Sequence, residues 1–170
     1  ATGYALEYDG KVEVIDNHRI SVTMYQSVIH AKDLADNGAS AKTIKDALEK
    51  EAYESSIYLA VNTLDFLKKG GRITPAAAML GTVLSLKPIL TIQGEKLDSY
   101  AKTRGTMKKA EQRMIEAIQN DLEKRFSAKD KATLHIGAAG AGLTTSEQSE
   151  WISLLKNAFP DTDIFYSPLS

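Results

Sequence analysis

Short runs of β-branched and large apolar residues alternate along this chain with longer stretches whose apolar residues recur every three or four positions. That alternation constrains the fold more than any other feature, because a period of two and a period of 3.6 cannot share one backbone geometry. Val12, Val14 and Ile15, closed by Asp16 and Asn17, predict a buried strand. Ser21 then reads as the N-cap of a helix carrying Met24, Val28, Ala31, Leu34 and Ala35, ended by Asn37-Gly38. Ser40 caps a second helix with Ile44, Ala47, Leu48 and Ala52 along one face. The run from Ile57 to Val61 is too short for a helix and predicts a central strand, so strand, helices and strand form a crossover unit.

Further along, Thr74-Pro75-Ala76-Ala77-Ala78 reads as an N-cap with proline at the first helical position, opening a helix to about Leu84. Lys87 to Ile92 and Lys96 to Lys102 flank Gln93-Gly94-Glu95 and predict a hairpin. A long helix from Thr106 carries Met107, Ala110, Met114, Ile118, Leu122 and Phe126 on one face. Thr133 to Ile136 and Ile164 to Tyr166 predict strands on either side of a helix from Thr145 to Ala158. The fold class is α/β, with a mixed sheet and flanking helices.

Charge and composition narrow the partners. Lys plus Arg number 21 against 22 for Asp plus Glu, and a net charge of -1 supplies no field for nucleic acid. The chain has no cysteine, which removes disulfides and thiolate metal sites and makes a reducing cytoplasm the default location. Its longest apolar stretch, Pro75 to Leu84, is far short of the roughly 20 residues of a transmembrane helix. Ala1 in place of an initiator methionine, with structured-looking sequence arriving almost at once, predicts that the chain is a fragment.

Catalytic patterns are sparse. His18, His30 and His135 stand singly, without the four-residue helical spacing of a zinc site, and no serine sits in a Gly-x-Ser-x-Gly elbow. Gly137-Ala138-Ala139-Gly140-Ala141-Gly142 follows a predicted strand, but it fits neither the dinucleotide fingerprint nor the P-loop and reads as a loop.

The dense segment is Asn62 to Leu90. Leu64, Phe66 and Leu67 predict a short helix that Gly70 and Gly71 stop, delivering Arg72 beside the N-terminus of the next helix, where a guanidinium suits an anion such as a carboxylate. Ala76, Ala77, Ala78 and Gly81 keep one side of that helix small, while Met79, Leu80, Val83 and Leu84 supply apolar bulk. Small residues there fit close helix packing or the wall of a pocket; an adjacent arginine favours a pocket for an amphiphile with one acidic end.

Thr63-Leu64, Leu67-Lys68-Lys69-Gly70-Gly71-Arg72-Ile73, Lys87-Pro88-Ile89 and Lys102-Thr103-Arg104-Gly105 together resemble the DegV family of bacterial fatty-acid-binding proteins, with matching spacing throughout. The resemblance covers residues 10 to 126 well and the rest loosely. It implies a DegV-like larger lobe, a lipid held between two lobes, and a carboxylate bound by hydroxyl side chains. It divides the chain into 1–62, the end of a smaller lobe and the crossover, and 63–170, the lipid-tail lobe, incomplete at its C-terminus. The expected ligand is a long-chain fatty acid, with no cofactor, no metal and no catalytic residue, and the expected partner is a separate kinase that receives the carboxylate. Lipid contacts fall on Arg72, Thr74, Ala76, Met79, Leu80 and Val83, and kinase contacts on Lys102 and Arg104. The family's Thr-Asp-Ser and Ser-Gly-Thr segments would precede residue 1, and its His-x-Gly-Pro-Gly segment would follow Ser170. Relatives often carry a histidine near Gly137-Ala138, and this chain has none. Two rivals stand beside this reading: a phosphotransfer enzyme for a dihydroxyacetone-like substrate, which would need Asp16, Asp65 and Asp98 to converge, and a structural module without a ligand.

Overall fold

Eighteen residues run from Met107 to Lys124, and the apolar ones return at helical spacing on two faces rather than one. Helix α6 (Met107–Lys124) is therefore able to pack on both sides. The computed structural model, which describes residues 1–79, 86–92, 96–130 and 133–169, shows it doing so. Ahead of α6 come α1 (Thr2–Ala5), α2 (Ser21–Asp36), α3 (Ala41–Lys50), β1 (Ile57–Ala60), α4 (Asp65–Lys69), α5 (Pro75–Ala78), β2 (Leu86–Ile92) and β3 (Leu97–Arg104). After it come β4 (His135–Gly140), α7 (Thr145–Ala158) and β5 (Asp163–Pro168).

Strands β1, β2 and β3 form an antiparallel sheet in that order, with Leu59 opposite Leu90 and Ile89 opposite Ala101. Alternation gives this sheet two apolar faces. Tyr58, Ala60, Ile89 and Ala101 meet Ala110 and Met114 of α6. Leu59, Leu90, Ile92 and Leu97 meet Leu64, Ile73 and Ala77 from the α4–α5 segment. Strands β4 and β5 pair in parallel, and α7 makes the crossover between them. Ile115, Ile118 and Leu122 of α6 pack against Ile136, Ala138, Leu155 and Phe159 of this second unit. The fold is mixed α/β.

Several expectations change. Residues 12–20 form no strand. They are held to α2 and α3 by side chains: Asn17 Nδ2 donates to Ser27 Oγ at 2.6 Å, Arg19 Nη2 to Glu51 O at 2.6 Å, and the Asp16 amide to Glu49 Oε1 at 3.2 Å. With no strand there, β1 closes no crossover and lies at the edge of its sheet rather than in the centre. Gly137 to Gly140, expected in a loop, belong to β4. The glycines are there for proximity: a Cβ on Gly137 would lie 2.5 Å from Val22 Cβ and 2.9 Å from Phe165 Cζ. Helix α2 thus rests directly on the strand, and its Tyr25 ring tilts against Phe165 at 5.1 Å.

Helices α3 and α7 follow their caps, whereas α2 departs from the expected Ser21 cap and α5 ends at Ala78, with Met79 as its C-cap, rather than near Leu84. Ser40 Oγ accepts the Thr43 amide at 3.2 Å, and α7 begins with Thr144 Oγ1 and Glu147 exchanging bonds as a capping box. Helix α2 starts at Ser21 itself, capped by Ile20, whose amide and carbonyl both bond the Thr23 hydroxyl. The hairpin turn at 93–95 and the stretch from Leu80 to Ser85 lie outside the described residues. Among those described, no helix is long and apolar enough to cross a membrane.

Candidate functional site

The segment from Thr63 to Met79 lies across one face of the β1–β2–β3 sheet. Thr63 Oγ1 accepts the Asp65 amide at 3.2 Å, and the almost fully buried Leu64 anchors the start of α4. The helix ends in main-chain bonds: the Gly71 amide donates to Lys68 O at 3.1 Å and the Arg72 amide to Leu67 O at 3.3 Å, the paired closure of a Schellman motif. Gly71 takes the left-handed conformation that closure needs, with φ +65°. Gly70 has ordinary helical geometry, and a Cβ there would stand 3.1 Å from Arg72 Nη1 and 3.3 Å from Phe66 O. Only one of the two adjacent glycines therefore uses positive φ.

Arg72 is exposed, and its Nη1 reaches Gly70 O at 3.4 Å. Its own main chain runs beside β3: the Leu97 amide donates to Arg72 O at 3.0 Å, and the Thr74 amide donates to Leu97 O at 2.8 Å. Thr74 then performs two tasks. Its hydroxyl oxygen accepts the Ala77 amide at 3.2 Å, capping α5, and its proton goes to Asp98 Oδ1 at 2.7 Å. Asp98 also accepts the Ser99 amide at 2.8 Å, and the Thr74 hydroxyl, followed by that amide, holds its carboxyl below the usual aspartate range. With its proton committed to Asp98, the Thr74 hydroxyl has none left for a ligand carboxylate. Ala77 is fully buried, whereas Ala76 is exposed and Met79 is 85% exposed. Leu80 and Val83 lie outside the described residues.

Lys102 and Arg104 are both exposed, and they sit two apart on β3, opposite Pro88 and Leu86. The pattern Lys-Thr-Arg-Gly places Arg104 at the end of a strand rather than at the opening of α6. Gly105, at φ +111°, turns the chain, and Thr106 is the N-cap. Of the basic residues that follow, Lys108 is paired with Glu150 at 2.9 Å.

Sequence reasoning missed a polar cluster on the other face of the sheet. Asp121 is buried at a position seven residues after Met114, inside the apolar stripe of α6. A carboxylate in such a stripe is the signal that a partner is buried with it. Its Oδ2 accepts from Tyr58 OH at 2.7 Å, from Ser56 Oγ, and from Arg125 Nη1 at 3.4 Å. Burial and then this bond push the Tyr58 phenol well above its ordinary value. The Arg125 guanidinium also donates to Tyr53 O and Ser55 O, tying α6 to the chain entering β1. Beside it lies a shallow cleft of about 140 Å³ lined by His18, Ala52, Tyr53, Ser55, Ile57, Ile92 and Arg125, with the His18 and Tyr53 rings stacked at 5.2 Å. Among the described residues, no three acidic or histidine side chains gather to hold a metal ion, and Asp16, Asp65 and Asp98 do not converge.

The motifs of the α4–β3 region and the two-sheet architecture agree with what the chain resembles as a whole. The family model described as "Uncharacterised protein, DegV family" matches residues 1–170. The chain belongs to the DegV family. A DegV domain-containing protein of Corynebacterium glutamicum is 30% identical over 98% of this chain and 57% of its own length. Among solved structures, a DegV family protein from Ruminococcus gnavus with vaccenic acid shares the fold at a TM-score of 0.80 and 22% identity, over 99% of this chain and 58% of that one. A DegV family protein from Thermus thermophilus, whose structure describes its fatty acid binding, matches at a TM-score of 0.71 and 28% identity, over 97% and 56%. The chain thus spans little more than half the length of each of these relatives.

Proposed function

We propose that this DegV chain is the tail-holding part of a protein that binds one long-chain fatty acid and presents the carboxylate to a separate kinase, without performing catalysis itself. The observation that carries the reading is the match along the whole chain to the fatty-acid-binding DegV protein of Thermus thermophilus. The α4–α5 corner supports it locally. Arg72 is exposed at the acidic end, and the exposed Ala76 and Met79, four and seven residues on, offer an apolar surface. Leu80 and Val83 follow in the sequence. In this arrangement Thr74 contributes by holding the wall, since its proton is already committed to Asp98. Lys102 and Arg104, exposed along β3, form the surface offered to the kinase. The protein works in the cytoplasm and uses no cofactor beyond the lipid it carries.

The test is mass spectrometry of lipid extracted from the complete native protein after purification. A long-chain fatty acid near one equivalent is expected. Folded protein that stays free of fatty acid, both as isolated and after incubation with palmitic or oleic acid, would refute the reading.

A further inference from the structure

Asp98, the second residue of β3, is an exposed carboxylate that forms no ion pair among the described residues, and its bonds run to Thr74 and to the Ser99 amide. Segment α5 is one helical turn, too short to stand by itself. Three links hold it against the sheet: the Arg72–Leu97–Thr74 main-chain pair, the buried methyl of Ala77, and the Thr74–Asp98 bond. The first two fix where the segment lies. The third fixes how the Thr74 hydroxyl is turned, because the proton given to Asp98 leaves the oxygen's lone pairs facing the Ala77 amide. A charged acceptor makes that bond stronger than one between neutral groups.

We infer that Asp98 is a positioning residue for lipid binding, acting through Thr74 to set the angle of the α5 wall on which Ala76 and Met79 stand. This rests on the fatty-acid reading above and deepens it. Removing the carboxylate frees the Thr74 hydroxyl to rotate, loosens the cap, and lets Ala76 and Met79 shift. The acyl chain then meets a wall that is less well ordered in advance, and the ordering cost moves to the binding step. Chain-length selectivity is the property most exposed to such a change, because it depends on where the wall stands rather than on whether the protein is folded.

The experiment uses the complete protein and compares wild type, Asp98→Ala, Asp98→Asn, Thr74→Ser and Thr74→Ala, with palmitic and myristic acid as probes. Asp98→Ala is expected to bind palmitic acid roughly fivefold more weakly and to lose most of its discrimination between the two acids. Asp98→Asn keeps an acceptor oxygen and is expected within about twofold of wild type, as is Thr74→Ser, which keeps the hydroxyl. Combining Thr74→Ala with Asp98→Ala should cost little more than Thr74→Ala alone, since both break the same link. Wild-type selectivity and affinity in Asp98→Ala, even with a lowered melting temperature, would overturn the inference by reducing Asp98 to a structural residue. So would Asp98→Asn binding as weakly as Asp98→Ala, which would make its charge rather than its bond the active property. Wild type that binds neither acid would overturn the fatty-acid reading and this inference with it, a result distinct from the other two.

Discussion

Replacing Gly137 with alanine tests the contact on which the second half of the fold depends. The added Cβ would stand 2.5 Å from Val22 Cβ, 2.8 Å from Val22 Cγ2 and 2.9 Å from Phe165 Cζ. Carbon atoms in contact prefer about 3.5–4.0 Å, so relief requires α2 and β4 to separate by about 1 Å. Neither side can give by rotating a flexible chain end, because one obstacle is a β-carbon fixed to a helix and another is an aromatic ring packed under Tyr25. Overpacking of this kind costs about 1–3 kcal/mol. Stiffening of the unfolded chain by alanine returns about 0.4–1 kcal/mol. The net destabilisation is about 1–2 kcal/mol, which for a domain of this size lowers the melting temperature by about 2–8 °C. Urea unfolding followed by circular dichroism would read it as a lower midpoint with an unchanged slope. Gly3→Ala is the control, since a Cβ there meets nothing within 4 Å and the glycine has no positive φ. Val22→Ala should fail to rescue Gly137→Ala, because the closest obstacle is the β-carbon that alanine keeps. Equal stability of Gly137→Ala and Gly3→Ala would show that α2 does not rest on β4 as described.

Two further outcomes are expected. Under the proposed function, Arg72→Ala in the complete protein should weaken fatty-acid binding by roughly tenfold, as expected for loss of a charge-assisted bond, while Arg104→Ala leaves it nearly unchanged and impairs turnover by the proposed kinase partner; lipid affinity and coupled turnover measured on both variants decide the assignment, and equal loss of lipid would reverse it. Glu147 is held below the ordinary glutamate value by the Thr144 amide and hydroxyl, so its capping contribution to α7 is fully present above the unfolded glutamate value and is lost as pH falls through the lower folded one. Urea midpoints taken from about pH 5 to about pH 3 should therefore fall less steeply in Glu147→Gln than in wild type, and parallel curves would contradict this.

The sequence was most legible where local signals and burial agreed. Helices α3, α6 and α7 begin at the residues their caps indicate, because Ser40, Thr106 and Thr144 stand directly ahead of amphipathic runs. The hairpin strands were legible for a similar reason, with the apolar run in β2 buried between two layers. Val12 to Ile15 misled because strand-forming residues say nothing of whether a neighbouring strand is available to pair with them. Gly137 to Gly140 misled in the opposite sense: glycines usually mark turns, but here they admit a helix and a ring against a strand. The candidate site was legible as a motif, and the Schellman closure at Gly71 follows from it. The Thr74–Asp98 link joins residues 24 apart, and the Asp121 cluster joins residues more than 60 apart. Such links depend on how the sheet register brings separate segments together, which no local pattern encodes.

The turn from α4 into Arg72 is closed by amide and carbonyl groups, with Gly71 supplying the only demanding torsion. Its shape therefore owes nothing to the side chains of Lys68 and Lys69, whose charges ride on it as replaceable cargo. Two substitutions at one corner can thus have unrelated meanings: at Gly71 a change rewrites the path of the chain, while at Lys68 or Lys69 it rewrites only the electrostatic signal displayed on that path.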